Sequence, residues 1–189
     1  MSYTIFKTEA LVLGVETVGE QSALVTFLTR DHGLLRARAQ NGRGIESKHR
    51  PFLARFSRVT VDLVLGAGGW RVTGVHERAR MRFHHISAFP VFLRGAKLIE
   101  KLLGEGDPAD PLFVFFDGMF DTPFLETLSD TERKGFEIFF IIEILSHLGY
   151  WDRDAGRSGD PAYFAELAAS SVKYVTSINE VLRTTHLMS

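Results

Sequence analysis

Three observations predict an α+β chain, with an N-terminal five-stranded OB-type β-barrel followed by an all-helical C-terminal domain. Residues 1–85 hold five runs of β-forming residues parted by short turns, with no long helix between them. From about residue 86 the apolar residues recur near the helical period. The charge changes sign at the same place. Residues 1–85 carry 13 Lys and Arg against 7 Asp and Glu, whereas residues 86–189 carry 9 against 16, so the net charge of −1 hides a split of +6 and −7.

The first strand is expected over Thr8–Val15 and the second over Ser22–Thr29, joined through a Gly19-Glu20 turn. Asp31-His32-Gly33 is a tight turn with a glycine available for positive φ. The third strand, Leu34–Ala39, alternates: Leu35, Ala37 and Ala39 on one face, Arg36 and Arg38 on the other. Residues 40–51 read as a polar loop with two glycines and four basic side chains. Ser57–Leu65 alternates cleanly, Gly66-Ala67-Gly68-Gly69 is a turn, and Trp70–Glu77 is the fifth strand.

The second half reads as helices. Phe89–Leu103 carries apolar pairs near the helical period and ends at Gly104-Glu105-Gly106-Asp107-Pro108. Asp110-Pro111 opens the next helix, to about Phe120. Ser129-Asp130-Thr131-Glu132 has the form of a capping box, and that helix runs to about His147 before Gly149 stops it. A loop around 152–161 leads to two further helices, Ala162–Ala169 and Ile178–Leu187. The two expected domains are therefore residues 1–85 and 86–189.

The composition excludes several chemistries. There is no cysteine, so disulfides, thiol nucleophiles and cysteine zinc sites are ruled out. The N-terminus MSYTIFKTEALVLG carries Lys7 and Glu9 and does not read as a signal peptide. The apolar run Ile138–Leu145 is interrupted by Glu143 and is too short to span a bilayer, so a cytoplasmic, membrane-free protein is expected. No HExxH, GxxxxGK[ST] or GxSxG pattern is present, and Gly66–Gly69 lacks the lysine of a phosphate loop. His84-His85 would point to opposite faces of a strand and makes a poor metal clamp. Asp107, Asp110, Asp117 and Asp121 read as helix capping and a solvated face. No enzyme, metal or cofactor is expected.

A basic barrel beside an acidic half suggests that the first half meets a polyanion. Arg36, Arg38, Arg43, Lys48, His49, Arg50 and Arg55 lie on one strand and its adjoining loop, where an OB barrel presents a groove to nucleic acid. Such cations neutralise phosphates and release counterions, giving salt-sensitive, sequence-tolerant binding. Arg71 extends the set, and Arg78, Arg80 and Arg82 are either further basic surface or ordinary surface charge. Phe52, Phe56 and Trp70 are candidates for base stacking, with core packing as the alternative. The competing reading of the whole chain is an OB-plus-helix adaptor that binds only protein.

The order of these features resembles the RecO family of DNA-repair mediators. The resemblance lies in Glu9-Ala10-Leu11-Val12-Leu13, Gly19-Glu20, and the strand ending in Phe27-Leu28-Thr29 with Gly33 and Arg36 beyond it. It continues through Gly42-Arg43-Gly44 and Pro51-Phe52 to Phe136-Glu137 and His147-Leu148-Gly149-Tyr150, with Arg183 in the closing helix. The resemblance implies a recombination mediator that engages single-stranded DNA, with double-stranded DNA left open. It also implies partnership with RecR and single-strand-binding protein, assistance to RecA loading, strand annealing, and a location in the cytoplasm at the nucleoid. It further implies that the acidic, Phe-ended tail of single-strand-binding protein docks on the helical domain near Arg133 and Lys134, with Gly135 where the family has another basic residue. Many members carry a zinc-binding cysteine cluster after the Gly-Tyr pair. Trp151–Arg157 stands there instead, without cysteine.

Overall fold

A computed structural model describes residues 4–18, 22–40, 50–79, 88–122, 125, 127–152 and 159–185. The five expected strands are β1 (Ile5–Val18), β2 (Ser22–Thr29), β3 (Gly33–Gln40), β4 (Arg58–Gly66) and β5 (Gly69–Ala79). They close into a barrel in the OB-type order β1-β2-β3-β5-β4. Every pairing is antiparallel except the closure of β3 on β5, which is parallel and short: Ala37 lies opposite Trp70 and Arg38 opposite Arg71. A 3-10 turn over Arg50–Leu53 precedes β4 and packs Phe52 and Leu53 against the barrel core.

The alternation expected in the third strand is observed. Leu35, Ala37 and Ala39 are buried while Arg36 and Arg38 are exposed. β1 and β2 behave differently, because they are buried on both faces. Val12 and Phe27 pair across the inner face; Leu11 and Leu28 pair across the outer one and are equally buried. The cover for β2 comes from helix α2 (Asp110–Met119), which packs on it.

Two ion pairs tie α2 to the barrel. The Arg58 guanidinium grips Asp117 with two bonds, Nε to Oδ1 at 2.8 Å and Nη2 to Oδ2 at 2.7 Å. Arg30 Nε donates to Asp110 Oδ1 at 3.0 Å. Asp110 and Asp117 are thus barrel contacts rather than the capping and solvated carboxylates expected. The N-cap of α2 is Ala109, without a side-chain cap. The segment before α2 crosses the β2–β3 turn. There Gly106 N–H donates to Leu34 O at 3.0 Å, and Glu105 forms a bridge with Leu34. Gly33 sits under this crossing at φ +60°, and a Cβ on it would lie 1.7 Å from the Asp107 carbonyl oxygen. In packing, the chain divides into residues 1–82 with 103–120, and residues 83–102 with 121–189. The segment 103–120 therefore groups with the barrel, although it follows the strand-to-helix change near residue 85.

The second unit contains α1 (Phe89–Leu102), α3 (Asp130–His147), α4 (Pro161–Ala169) and α5 (Ser171–Thr184). α3 begins with the expected capping box: Glu132 N–H donates to Ser129 Oγ, and Ser129 N–H donates to the Glu132 carboxylate at 2.7 Å. It ends in a Schellman motif at Gly149 (φ +78°), where Tyr150 N–H donates to Leu145 O and Gly149 N–H to Ser146 O. Phe92, Phe136, Phe140 and Phe164 stack through edge and tilted contacts at its core. Gly135 is buried where α4 meets α3, and a Cβ there would fall 1.7 Å from Phe164 O. The last helix differs from expectation. It begins at Ser171, seven residues before the expected Ile178. Val172, Val175 and Thr176 are weak helix formers, but Ile178 is buried and Thr176 Oγ1 returns a hydrogen bond to Val172 O at 2.8 Å.

Candidate nucleic-acid interface

Arg36 and Arg38 are two residues apart on β3, so their side chains leave the same outer face of the barrel, roughly 7 Å apart. Arg71 stands opposite Arg38 across the parallel closure and is exposed with it. Like charges facing each other across a strand pair repel. Among the described residues no carboxylate relieves them: Arg36, Arg38, Arg71 and the exposed Arg55 form no ion pair. The barrel's other arginines behave differently. Arg30 is shared between Glu9 and Asp110, and Arg58 is held by Asp117. Within this unit, pairing separates arginines that fasten the fold from those whose charge faces outward.

The remaining candidates fall in three places. Arg43, Lys48 and His49, with Arg80 and Arg82, lie outside the described residues, and Arg50 and Arg78 are described in backbone only. Arg55 is exposed in the turn before β4. Trp70 neighbours Arg71 in sequence, but its pairing with Ala37 turns it toward the core. It is half-buried, with its ring edge-on to Phe6 at 5.2 Å and 6.3 Å from the His32 ring. Phe52 and Phe56 adopt the packing alternative. Phe52 is half-buried on the barrel core, and Phe56 is fully buried against Phe116 and Phe120. Phe56 has φ +66°, rare for a residue with a side chain. Its N–H donates to Val12 O, and Val12 N–H donates to Ser57 O at 3.0 Å, so the bond pair fixes the bend on β1.

The helical unit carries a groove of about 520 Å³. Leu98 of α1, Ile138 and Ile141 of α3, and Val175, Ile178 and Leu182 of α5 give it an apolar floor. Lys134 lines it; Arg133 does not. Arg133 instead donates to Asp130 Oδ1 at 2.9 Å and to Leu128 O at 3.1 Å, fastening the start of α3. A second cation at the groove, Arg94, was missed in the sequence. It could have been found from its position four residues before Leu98 on α1, which puts both on one face.

The chain has no cysteine, and among the described residues no group of three or more His, Asp or Glu converges. No helix among the described residues is long and apolar enough to cross a membrane.

Residues 1–73 match the family described as Recombination protein O N terminal. The DNA repair protein RecO of Bifidobacterium animalis subsp. lactis (strain AD011) is 42% identical over 64 residues, which is 34% of this chain and 26% of that relative. The match covers the closed barrel up to the first residues of β5, including Arg36, Arg38 and Arg71. Over residues 1–73 the chain is therefore similar to the N-terminal domain of the RecO family, and the match spans about a quarter of that relative's length.

Proposed function

We propose that this protein is a RecO-type recombination mediator in DNA repair. The barrel binds DNA through phosphate contacts, and the helical unit receives the acidic tail of single-strand-binding protein. In this reading the protein helps RecA load on single strands coated with single-strand-binding protein, works with RecR, and anneals complementary strands in the cytoplasm at the nucleoid. It catalyses no covalent step. The observation that carries the DNA part is the exposed row Arg36, Arg38 and Arg71, with no neutralising carboxylate among the described residues. In this reading Arg43, Lys48, His49, Arg50 and Arg55, which follow β3 in the sequence, add phosphate contacts to the row. Trp70, turned toward the barrel core, contributes less stacking than an outward ring would, so phosphate contact dominates. The groove lined by Lys134 supports the tail site, since an apolar floor with cations suits a peptide ending in an aromatic ring and a carboxylate. Arg133 serves that site by holding the start of α3.

The test is titration of a labelled single-stranded oligonucleotide at two salt concentrations. Binding that weakens steeply with salt supports the reading. No binding at low salt, or binding indifferent to salt, would leave the protein-only adaptor as the better account.

A further inference from the structure

The groove of the helical unit contains its own carboxylate. Arg94 Nε and Glu137 Oε1 form an ion pair, with the two side chains 51% and 36% exposed. Both residues line the groove. Lys134 lies three positions before Glu137 on α3, on the same helix face. An incoming anion therefore meets two cations over an apolar floor, one of them already occupied.

We propose that Glu137 is an internal competitor for the peptide that this groove binds. Glu137 holds Arg94 in the empty groove, and a carboxylate of an acidic, apolar-ended peptide displaces it. The inference rests on the tail-binding reading given above. The occupant follows from charge complementarity: Arg94 and Lys134 line the groove beside the apolar Leu98, Ile138 and Ile178, and Val175, which also lines it, is 46% exposed. Displacing Glu137 costs the peptide the Arg94–Glu137 attraction. The device lowers affinity and raises selectivity, because a peptide must supply a well-placed carboxylate to win Arg94.

The experiment is fluorescence anisotropy on the full chain, with a labelled Asp-rich peptide ending in a free phenylalanine carboxylate. Glu137→Gln removes the competitor and should tighten binding about two- to fivefold, the range for a partly exposed ion pair. Glu137→Ala should move affinity in the same direction, so the result does not depend on how one replacement folds. Arg94→Ala should weaken binding, and Arg94→Ala with Glu137→Gln should bind like Arg94→Ala alone. Glu180→Gln, the same charge change on an exposed position of α5, should leave affinity unchanged. Wild-type binding with no gain in either Glu137 variant overturns the inference and leaves the tail-binding reading standing. An equal gain in the Arg94→Ala background, or in Glu180→Gln, also overturns it, since the effect is then one of net charge. No peptide binding by any of these proteins at low salt overturns the tail-binding reading and the competitor with it.

Discussion

Asp117→Ala should destabilise the barrel unit far more than Asp110→Ala, although both carboxylates sit on α2 and both pair with barrel arginines. The difference is burial. In the Arg58–Asp117 pair both side chains are 13% exposed, whereas in the Arg30–Asp110 pair they are 48% and 57% exposed. An exposed pair contributes at most about 1 kcal/mol. Removing one partner of a buried pair costs about 3–5 kcal/mol, because the other charge is left without compensation. Arg58 has interactions beyond Asp117 and some water reaches it, so Asp117→Ala should cost about 1–3 kcal/mol and Asp110→Ala less than about 1 kcal/mol. The chain has two tryptophans, Trp70 in the barrel unit and Trp151 in the helical unit. In a Trp151→Phe background, urea unfolding followed by Trp70 fluorescence reads the barrel unit alone. Equal costs for the two aspartates, or a loss below about 1 kcal/mol for Asp117→Ala, would refute the reasoning from burial.

The helical unit supplies two more tests. Gly135→Ala sets a methyl group against the backbone of α4, so it should cost about 3 kcal/mol or more, read by Trp151 fluorescence in a Trp70→Phe background; a loss under about 1 kcal/mol would mean that α4 yields easily. Hydrogen bonds from the Ser129 hydroxyl and then the Ser129 backbone N–H hold the Glu132 carboxyl below the ordinary glutamate range. Because the folded value is depressed, the cap is fully formed above about pH 4.3 and is lost as pH falls through the lower folded value. A carboxyl titration by NMR should place the Glu132 midpoint below about 4.3, and Glu132→Gln should remove that step from the pH dependence of α3; a midpoint at or above the ordinary value would contradict the capping geometry.

The strands and the capping box were legible because their signals are local. A period of two placed Arg36 and Arg38 opposite Leu35 and Ala37, and Ser129 and Glu132 stand three apart. What was not legible depends on partners distant in sequence. Asp110 and Asp117 look like solvated charges until Arg30, 80 residues away, and Arg58, 59 residues away, are brought to them. Trp70 looked available for stacking beside its glycine turn. Its direction was set by the parallel pairing with Ala37, which no local pattern announces. α5 starts at Ser171 despite the poor helix propensity of Val172, Val175 and Thr176. Gly135 was read as a missing basic residue, whereas the close approach of α4 leaves no room there for any side chain. Lys134 was found by resemblance, but its companion Arg94 comes from another helix and emerged only with the groove.

The central claim is that the outer face of β3 and β5 binds DNA by its phosphates. The most direct measurement compares wild type with Arg36→Ala/Arg38→Ala/Arg71→Ala for single-stranded DNA affinity across a salt series. Each phosphate contact on a single strand contributes about 0.7 to the logarithmic salt slope, so the triple variant should have a slope shallower by about 2 and bind roughly 100-fold more weakly near 0.1 M salt. The Trp70 unfolding transition should stay where it is in wild type, because these three side chains are exposed and form no ion pair among the described residues. A folded triple variant with the wild-type slope and affinity would contradict the account and place the DNA site elsewhere on the chain.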